Sequence, residues 1–169
     1  ACSLKANRAK GLFSGHVHPE YSPIESFPGV DWLDVNNTYT YYIPHLWMYQ
    51  DYNREPAWPF FFMESTYENE HNSSHQQFRR QAYWSVPCGA FGHITGNYPI
   101  WLFGPGWEDQ LDSIGSVAIA RWGHFFRQLP WADLVPDLDK KVIVGGLGQD
   151  RGLDRVTAAI TRNKDLAVA

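Results

Sequence analysis

Pro59-Phe60-Phe61-Phe62-Met63-Glu64 sets an unbroken apolar run between a proline and a carboxylate. A run of this length and composition predicts a strand buried on both faces, as in a parallel sheet lying under helices. Its last residue, Glu64, would then sit at the rim of a dry sheet, where desolvation and aromatic neighbours tune an acid's ionisation.

Working outward, residues 11–17, 32–36 and 89–94 are short apolar stretches bounded by charge, proline or glycine, and they predict three further strands. Helical spacing fills the gaps. The end of a helix is expected at residues 4–10, and another helix at 44–52 with His45, Met48 and Tyr52 along one face. A third runs over 75–84 behind a capping Ser73 or Ser74, and a long one over 111–129 carries Ile114, Ala118, Trp122, Phe125 and Leu129 on one face. Strand, connection and strand, repeated, is the signature of α/β architecture. A closed (β/α)8 TIM-barrel takes about 200 residues or more, so four strands amount to half of one.

After Pro130-Trp131 the texture changes. Residues 134–137 read as a break, and 141–145, 155–160 and 165–169 as short strands opening a separate β-sandwich. The expected division is therefore 1–137, half a barrel, and 138–169, the start of a β domain.

Composition narrows the function. The 169 residues carry 14 Lys plus Arg against 18 Asp plus Glu, a net charge of −4, which argues against gripping nucleic-acid phosphates. No apolar run approaches the length of a membrane-spanning helix. Cys2 and Cys88 are too few for a disulfide scaffold or a four-cysteine zinc site, and either a bridge or two free thiols fits. The aromatic share is high, 16%, and Trp and Tyr supply flat faces that suit cores and sugar rings alike.

Polar residues collect just after the expected strands: His16 and His18, Asn36, Glu64, then His93 and Asn97. In parallel barrels the C-terminal strand ends build the active site. Glycoside hydrolysis takes two carboxylates, and Glu20, Glu25, Asp34, Glu68 and Glu70 are candidate partners for Glu64, with Glu68 placed to tie down the loop that follows. A second chemistry is open. His16 and His18 are alternate residues that on a strand share a face, so with His93 or Asp34 they form a candidate metal set for a metal-dependent hydrolase. Capping, salt-bridging or core hydrogen bonding accounts equally for each of these side chains. The glycines at 145–148 lack the Lys-Ser/Thr of a phosphate loop and read as a turn.

Residues 59–68 (PFFFMESTYE), 79–84 (RRQAYW), 89–97 (GAFGHITGN) and 134–137 (LVPD), with His18-Pro19 and residues 32–36 (WLDVN) before them, occur in one order. Together they resemble the apiosidase-like barrel family, glycoside hydrolase family 140. The resemblance implies a retaining glycosidase acting on pectic side chains of plant cell walls, needing no cofactor, and a secreted or periplasmic location. It implies that Glu64 holds the nucleophile position at the end of the seventh strand. The acid/base carboxylate would come from an earlier strand, before Ala1, and the chain would be the second half of the barrel with the opening of an appended β domain. His18, Asn36, Tyr67, His93 and Asn97 are the expected sugar-contacting residues, and an oligosaccharide or polysaccharide is the expected partner. The chain departs from the family pattern at residues 37–42 and in the Phe-Met pair before Glu64, which leaves sugar specificity open. A non-catalytic carbohydrate-binding fragment is the other reading.

Overall fold

The computed structural model describes residues 10–169. The helix expected at 4–10, like Cys2, lies outside the described residues apart from Lys10. A short helix α1 (Pro23–Ser26) precedes strand β1 (Asn36–Tyr39), helix α2 (Pro44–Tyr52), strand β2 (Phe60–Glu64) and helix α3 (His75–Ser85). Helix α4 (Ile114–Arg127) follows, and then three short strands, β3 (Leu134–Pro136), β4 (Ala159–Thr161) and β5 (Ala167–Val168). Caps set the helix starts. Pro44 opens α2, the Ser74 hydroxyl accepts from the Gln77 N–H at the start of α3, and Ser113 does the same for Ser116 at the start of α4.

β1 and β2 pair in parallel, Asn36 beside Phe60, Asn37 beside Phe61 and Thr38 beside Phe62. On its other side β2 is flanked, again in parallel, by the segment around His93: Phe91 N–H donates to Phe60 O, Phe62 N–H to Gly92 O and Ile94 N–H to Phe62 O, all within 3.0 Å. The apolar run is thus the central strand of the layer. Phe60 and Phe62 turn to the helices and are fully buried with Met48, Trp84, Cys88 and Ala90. Burying each phenylalanine contributes about 2 kcal/mol. Phe61 turns the other way and meets Phe91, their ring centroids 5.7 Å apart. With Leu12, Phe13 and Val35 they line an open apolar cleft of about 430 Å³.

Two expected strands are corrected. Residues 11–17 run beside β1 without a ladder. Phe13 O accepts from the N–H groups of both Asp34 and Val35, while the Asp34 carboxylate and the Asn37 amide hold Phe13 N–H, Ser14 Oγ and Gly15 O. A single main-chain carbonyl and two side chains make these contacts, so no regular ladder forms. The strand expected at 32–36 begins only at Asn36, because the preceding N–H groups are taken by Phe13. β1 therefore consists of Asn-Asn-Thr-Tyr, all buried. Asn36 and Thr38 are satisfied under the sheet, whereas the buried Asn37 Oδ1 has no partner: Asn36 accepts from Ser22 Oγ at 2.6 Å and donates to Asp51 at 3.0 Å, and Thr38 Oγ1 donates to Asp51 at 2.6 Å. Arg54 donates to the same carboxylate at 2.7 Å, and burial, the largest influence, raises the Asp51 pKa against these donors.

The C-terminal strands form a separate antiparallel sheet in the order β3-β4-β5. Residues 134–137, expected as a break, supply its first strand. Residues 141–145, expected as a strand, instead wrap the Asp137 carboxylate with the N–H groups of Lys141, Val142 and Ile143. Leu134 and Ala159 join Ala82, Val86, Trp122 and Phe126 in a second core cluster, which packs this sheet on α3 and α4. The loop between β3 and β4 is fastened to the helices by His45 Nε2, 2.8 Å from Asp150 O, and by Trp84 Nε1–H, which donates to Arg155 O at 2.9 Å.

The loop after β2 is fastened through Glu68. This buried carboxylate accepts from Asn97 Nδ2 at 2.7 Å, Ser113 Oγ at 2.6 Å and the Gly115 N–H at 2.7 Å, at the start of α4. A helix N-terminus offers free N–H groups and a positive dipole end to such an anion. Gly115 is required by this contact, since a Cβ there would collide with the Glu68 carboxylate. Glu68→Ala strands three donors, and charge-assisted bonds of this kind predict a loss of about 3 kcal/mol. Urea denaturation tests this as a lowered midpoint with an unchanged slope.

Candidate active site

Glu64 ends β2 where the ladder with β1 slips. Thr38 pairs with Phe62, but Tyr39 pairs with Glu64, so Met63 is the extra residue of a β-bulge. Bulges re-aim the side chains that follow them. Glu64 is set beside the two tyrosines that leave β1. The Tyr41 hydroxyl donates to Glu64 Oε1 at 3.1 Å, and the Tyr39 and Tyr41 hydroxyls are themselves 3.1 Å apart. On the other oxygen, His16 Nε2 lies 2.8 Å from Oε2, and its ring stacks on Tyr39 with centroids 5.1 Å apart. The carboxylate is 13% exposed, against 51% for the His16 side chain, so the pair opens to solvent on one side.

The phenols around Glu64 stay protonated. Burial first, then hydrogen bonding to Tyr39 and the Glu64 charge, holds Tyr41 far above the ordinary phenol value. Tyr39 is raised chiefly by burial. Burial and then the Glu64 charge push Tyr67 up to about 12. Each is therefore a neutral O–H donor at any working pH. Gly96 seats Tyr67, whose ring lies where a Cβ on residue 96 would have to be.

Glu20 completes the wall. Its N–H donates to Tyr39 O at 2.9 Å, and its Oε1 accepts from the Tyr41 N–H at 3.2 Å. Its second oxygen is buried without a partner, and its backbone holds φ 68°, a left-handed conformation unusual for a side chain of this kind.

Among the residues expected to touch sugar, the structure brings Tyr67 to Glu64 and leaves His18 exposed, its Nδ1 turned to Pro19 O and its ring edge-on to Tyr21. It places the other three elsewhere. Asn36 is fully buried on Ser22 and Asp51. Asn97 belongs to the Glu68 cluster. His93 faces the helices, stacked on Phe62 with centroids 4.6 Å apart and edge-on to Trp122, with Nδ1 3.0 Å from Phe62 O. Strand parity explains this: His93 pairs with Phe62 and shares its side. The histidines of the candidate metal set thus point apart, and no three His, Cys, Asp or Glu side chains converge on a metal-sized site among the described residues. Tyr39 and Tyr41 escaped the sequence reading. Their two-residue spacing behind a strand was the available signal.

The parallel α/β layer of this chain, with a carboxylate at a strand's C-terminal end, has counterparts among solved structures. The chain is similar to a glycoside hydrolase family 5 protein from Bacteroides vulgatus at 24% identity and TM-score 0.81, over 95% of this chain and 42% of that one. A second solved glycoside hydrolase is similar at 24% identity and TM-score 0.78, over 95% of this chain and 44% of that one. The chain thus spans less than half the length of these solved structures. No curated protein matches it. The family model described as apiosidase-like, catalytic domain, matches residues 2–133, and the chain belongs to that family.

His93 gives the fold a pH dependence. Burial pushes its pKa down to about 4 from 6.5, against the pull of the Phe62 carbonyl. The unfolded chain takes up the proton first as pH falls. Its contribution to stability is therefore complete above pH 6.5 and is lost as pH drops through 4. Denaturation midpoints across this range are expected to fall, with His93 accounting for up to roughly 3 kcal/mol. His93→Phe should flatten the slope only in part, because burial lowers His45 as well; an unchanged slope would count against the assignment.

Proposed function

We propose that this chain carries the nucleophile of a retaining glycoside hydrolase acting on pectic oligosaccharides. Residues 1–137 are read as the C-terminal half of a (β/α)8 barrel and 138–169 as the opening of a β domain. The observation that carries the reading is Glu64 itself: a carboxylate at a bulged strand end, each oxygen engaged by a separate donor and one side open to solvent.

In this reading Glu64 attacks the anomeric carbon as the glycosidic C–O bond breaks. The leaving oxygen takes a proton from the acid/base carboxylate, assigned to an earlier barrel strand outside this chain. Water then enters with that second group as base and releases Glu64, restoring the starting configuration. Tyr41 and His16 aim the attacking carboxylate, and an oriented nucleophile lowers the entropic part of the barrier. Tyr67, neutral and beside Glu64, is the proposed donor to a ring hydroxyl. Asn36, His93 and Asn97 are assigned to support of the layer.

In the protein that holds both carboxylates, Glu64→Gln should lower turnover of a pectic substrate about a thousandfold or more, with binding little changed. Tyr41→Phe should cost roughly a hundredfold in kcat. Steady-state kinetics with binding measured in parallel checks both. A normal rate for Glu64→Gln would overturn the nucleophile assignment.

A further inference from the structure

Glu20 occupies a backbone position that its side chain makes hard to hold. Residues 18–21 form a tight turn, closed by the Tyr21 N–H on His18 O at 3.2 Å, with Pro19 second and Glu20 third. A φ of 68° in that third place ordinarily selects Gly or Asn. Strain of this kind persists where the surrounding structure over-determines it. The Oε2 atom is also buried without a hydrogen-bond partner, a second cost that the turn by itself does not require.

What the residue does hold is the stretch that carries Tyr39 and Tyr41. β1 ends at Tyr39, and the Thr40 N–H still donates to Glu64 O at 3.1 Å. Beyond Thr40 the chain leaves the ladder. The Tyr42 N–H turns back to Thr40 Oγ1, and among the described residues the Tyr41 N–H donates only to Glu20 Oε1, at 3.2 Å. The Glu20 N–H meanwhile donates to Tyr39 O at 2.9 Å, so one residue grips the main chain at both tyrosines. The Tyr41 ring is 38% exposed, with Tyr39 and His71 beside it at 5.5 and 5.3 Å between centroids. Packing on so open a ring is loose, and the main-chain hold decides how far its hydroxyl reaches.

That reach orders the protons. A phenol has a single proton to donate. Tyr41 gives its own to Glu64 Oε1, so the proton in the 3.1 Å contact between the two hydroxyls is that of Tyr39. Donation runs one way, from Tyr39 to Tyr41 to Glu64.

We propose that Glu20 is a positioning residue for the nucleophile: by holding the main chain of Tyr39 and Tyr41, it sets the one-way relay of hydroxyl donors that aims Glu64. It acts through Tyr41 and touches no substrate in this role. The proposal rests on the reading of Glu64 as the nucleophile.

The test is kinetic, on a pectic substrate, in the protein that holds both carboxylates. Glu20→Gly suits the left-handed backbone and keeps the fold, while kcat should fall about tenfold with KM unchanged. Glu20→Gln keeps an oxygen for the Tyr41 N–H and should restore most of that loss. In a Tyr41→Phe background Glu20→Gly should cost nothing further, because the two residues act as one unit. Unchanged kcat in Glu20→Gly, an effect on KM alone, no rescue by Gln, or additive losses in the double variant overturns the proposal. A readout without turnover separates it from the nucleophile reading. With tyrosine isotopically labelled at Cζ, the Tyr41 NMR signal should move in Glu20→Gly and hold its place in Glu20→Gln. An unmoved signal with Glu64-dependent turnover sinks only the positioning role. A moved signal with turnover indifferent to Glu64→Gln upholds the grip on Tyr41 and sinks the nucleophile.

Discussion

The placement of Glu64 depends on a one-residue slip in a parallel ladder. Up to Thr38 and Phe62 the two strands keep step, and both side chains turn toward the helices, Thr38 onto Asp51 and Phe62 into the core. Strict alternation would turn Glu64 the same way as Phe60 and Phe62, into an apolar layer with no partner for its charge. The slip at Met63 sets it opposite Tyr39 instead, where Tyr41 and His16 meet its two oxygens. One extra residue thus separates a buried structural acid from an accessible one.

That ladder stands because β1 resolves an awkward demand. A strand of Asn-Asn-Thr-Tyr is buried throughout, and buried amides and hydroxyls are tolerated only when bonded. Asp51 from α2 collects Asn36, Thr38 and Arg54, and Ser22 closes the network from the side of α1. The network ties sheet to helix where apolar packing would normally do so, and it fixes the register that the bulge then breaks. Low-dielectric surroundings strengthen such a fully bonded cluster and penalise any gap in it.

The same logic orders the loops. Glu68 ties the segment after β2 to the start of α4, and His45 and Trp84 tie the loop around Asp150 and Arg155 to the helical layer. Both ties hold a loop on a rigid element. In the first the anchor is an anion at a helix N-terminus; in the second, buried ring nitrogens reach backbone carbonyls.

Local chemistry made much of this legible. A serine signal marked the start of α3 and helical spacing the bodies of α2 and α4, and the unbroken run Phe60 to Met63 marked a strand, although it is fully buried only on the side of Phe60 and Phe62. Glu64 was marked out by ending it. Which other polar residues meet Glu64 was decided by tertiary structure alone. His93 and Asn97 follow a strand as Glu64 does, yet pairing parity turns one into the helical layer and the other onto Glu68. Tyr39 and Tyr41 carry no motif, and reach the carboxylate only because the bulge shifts one strand by a residue. Propensity and periodicity act along the chain and show in the sequence; register and side-chain parity arise between segments far apart in it, so only the folded chain contains them.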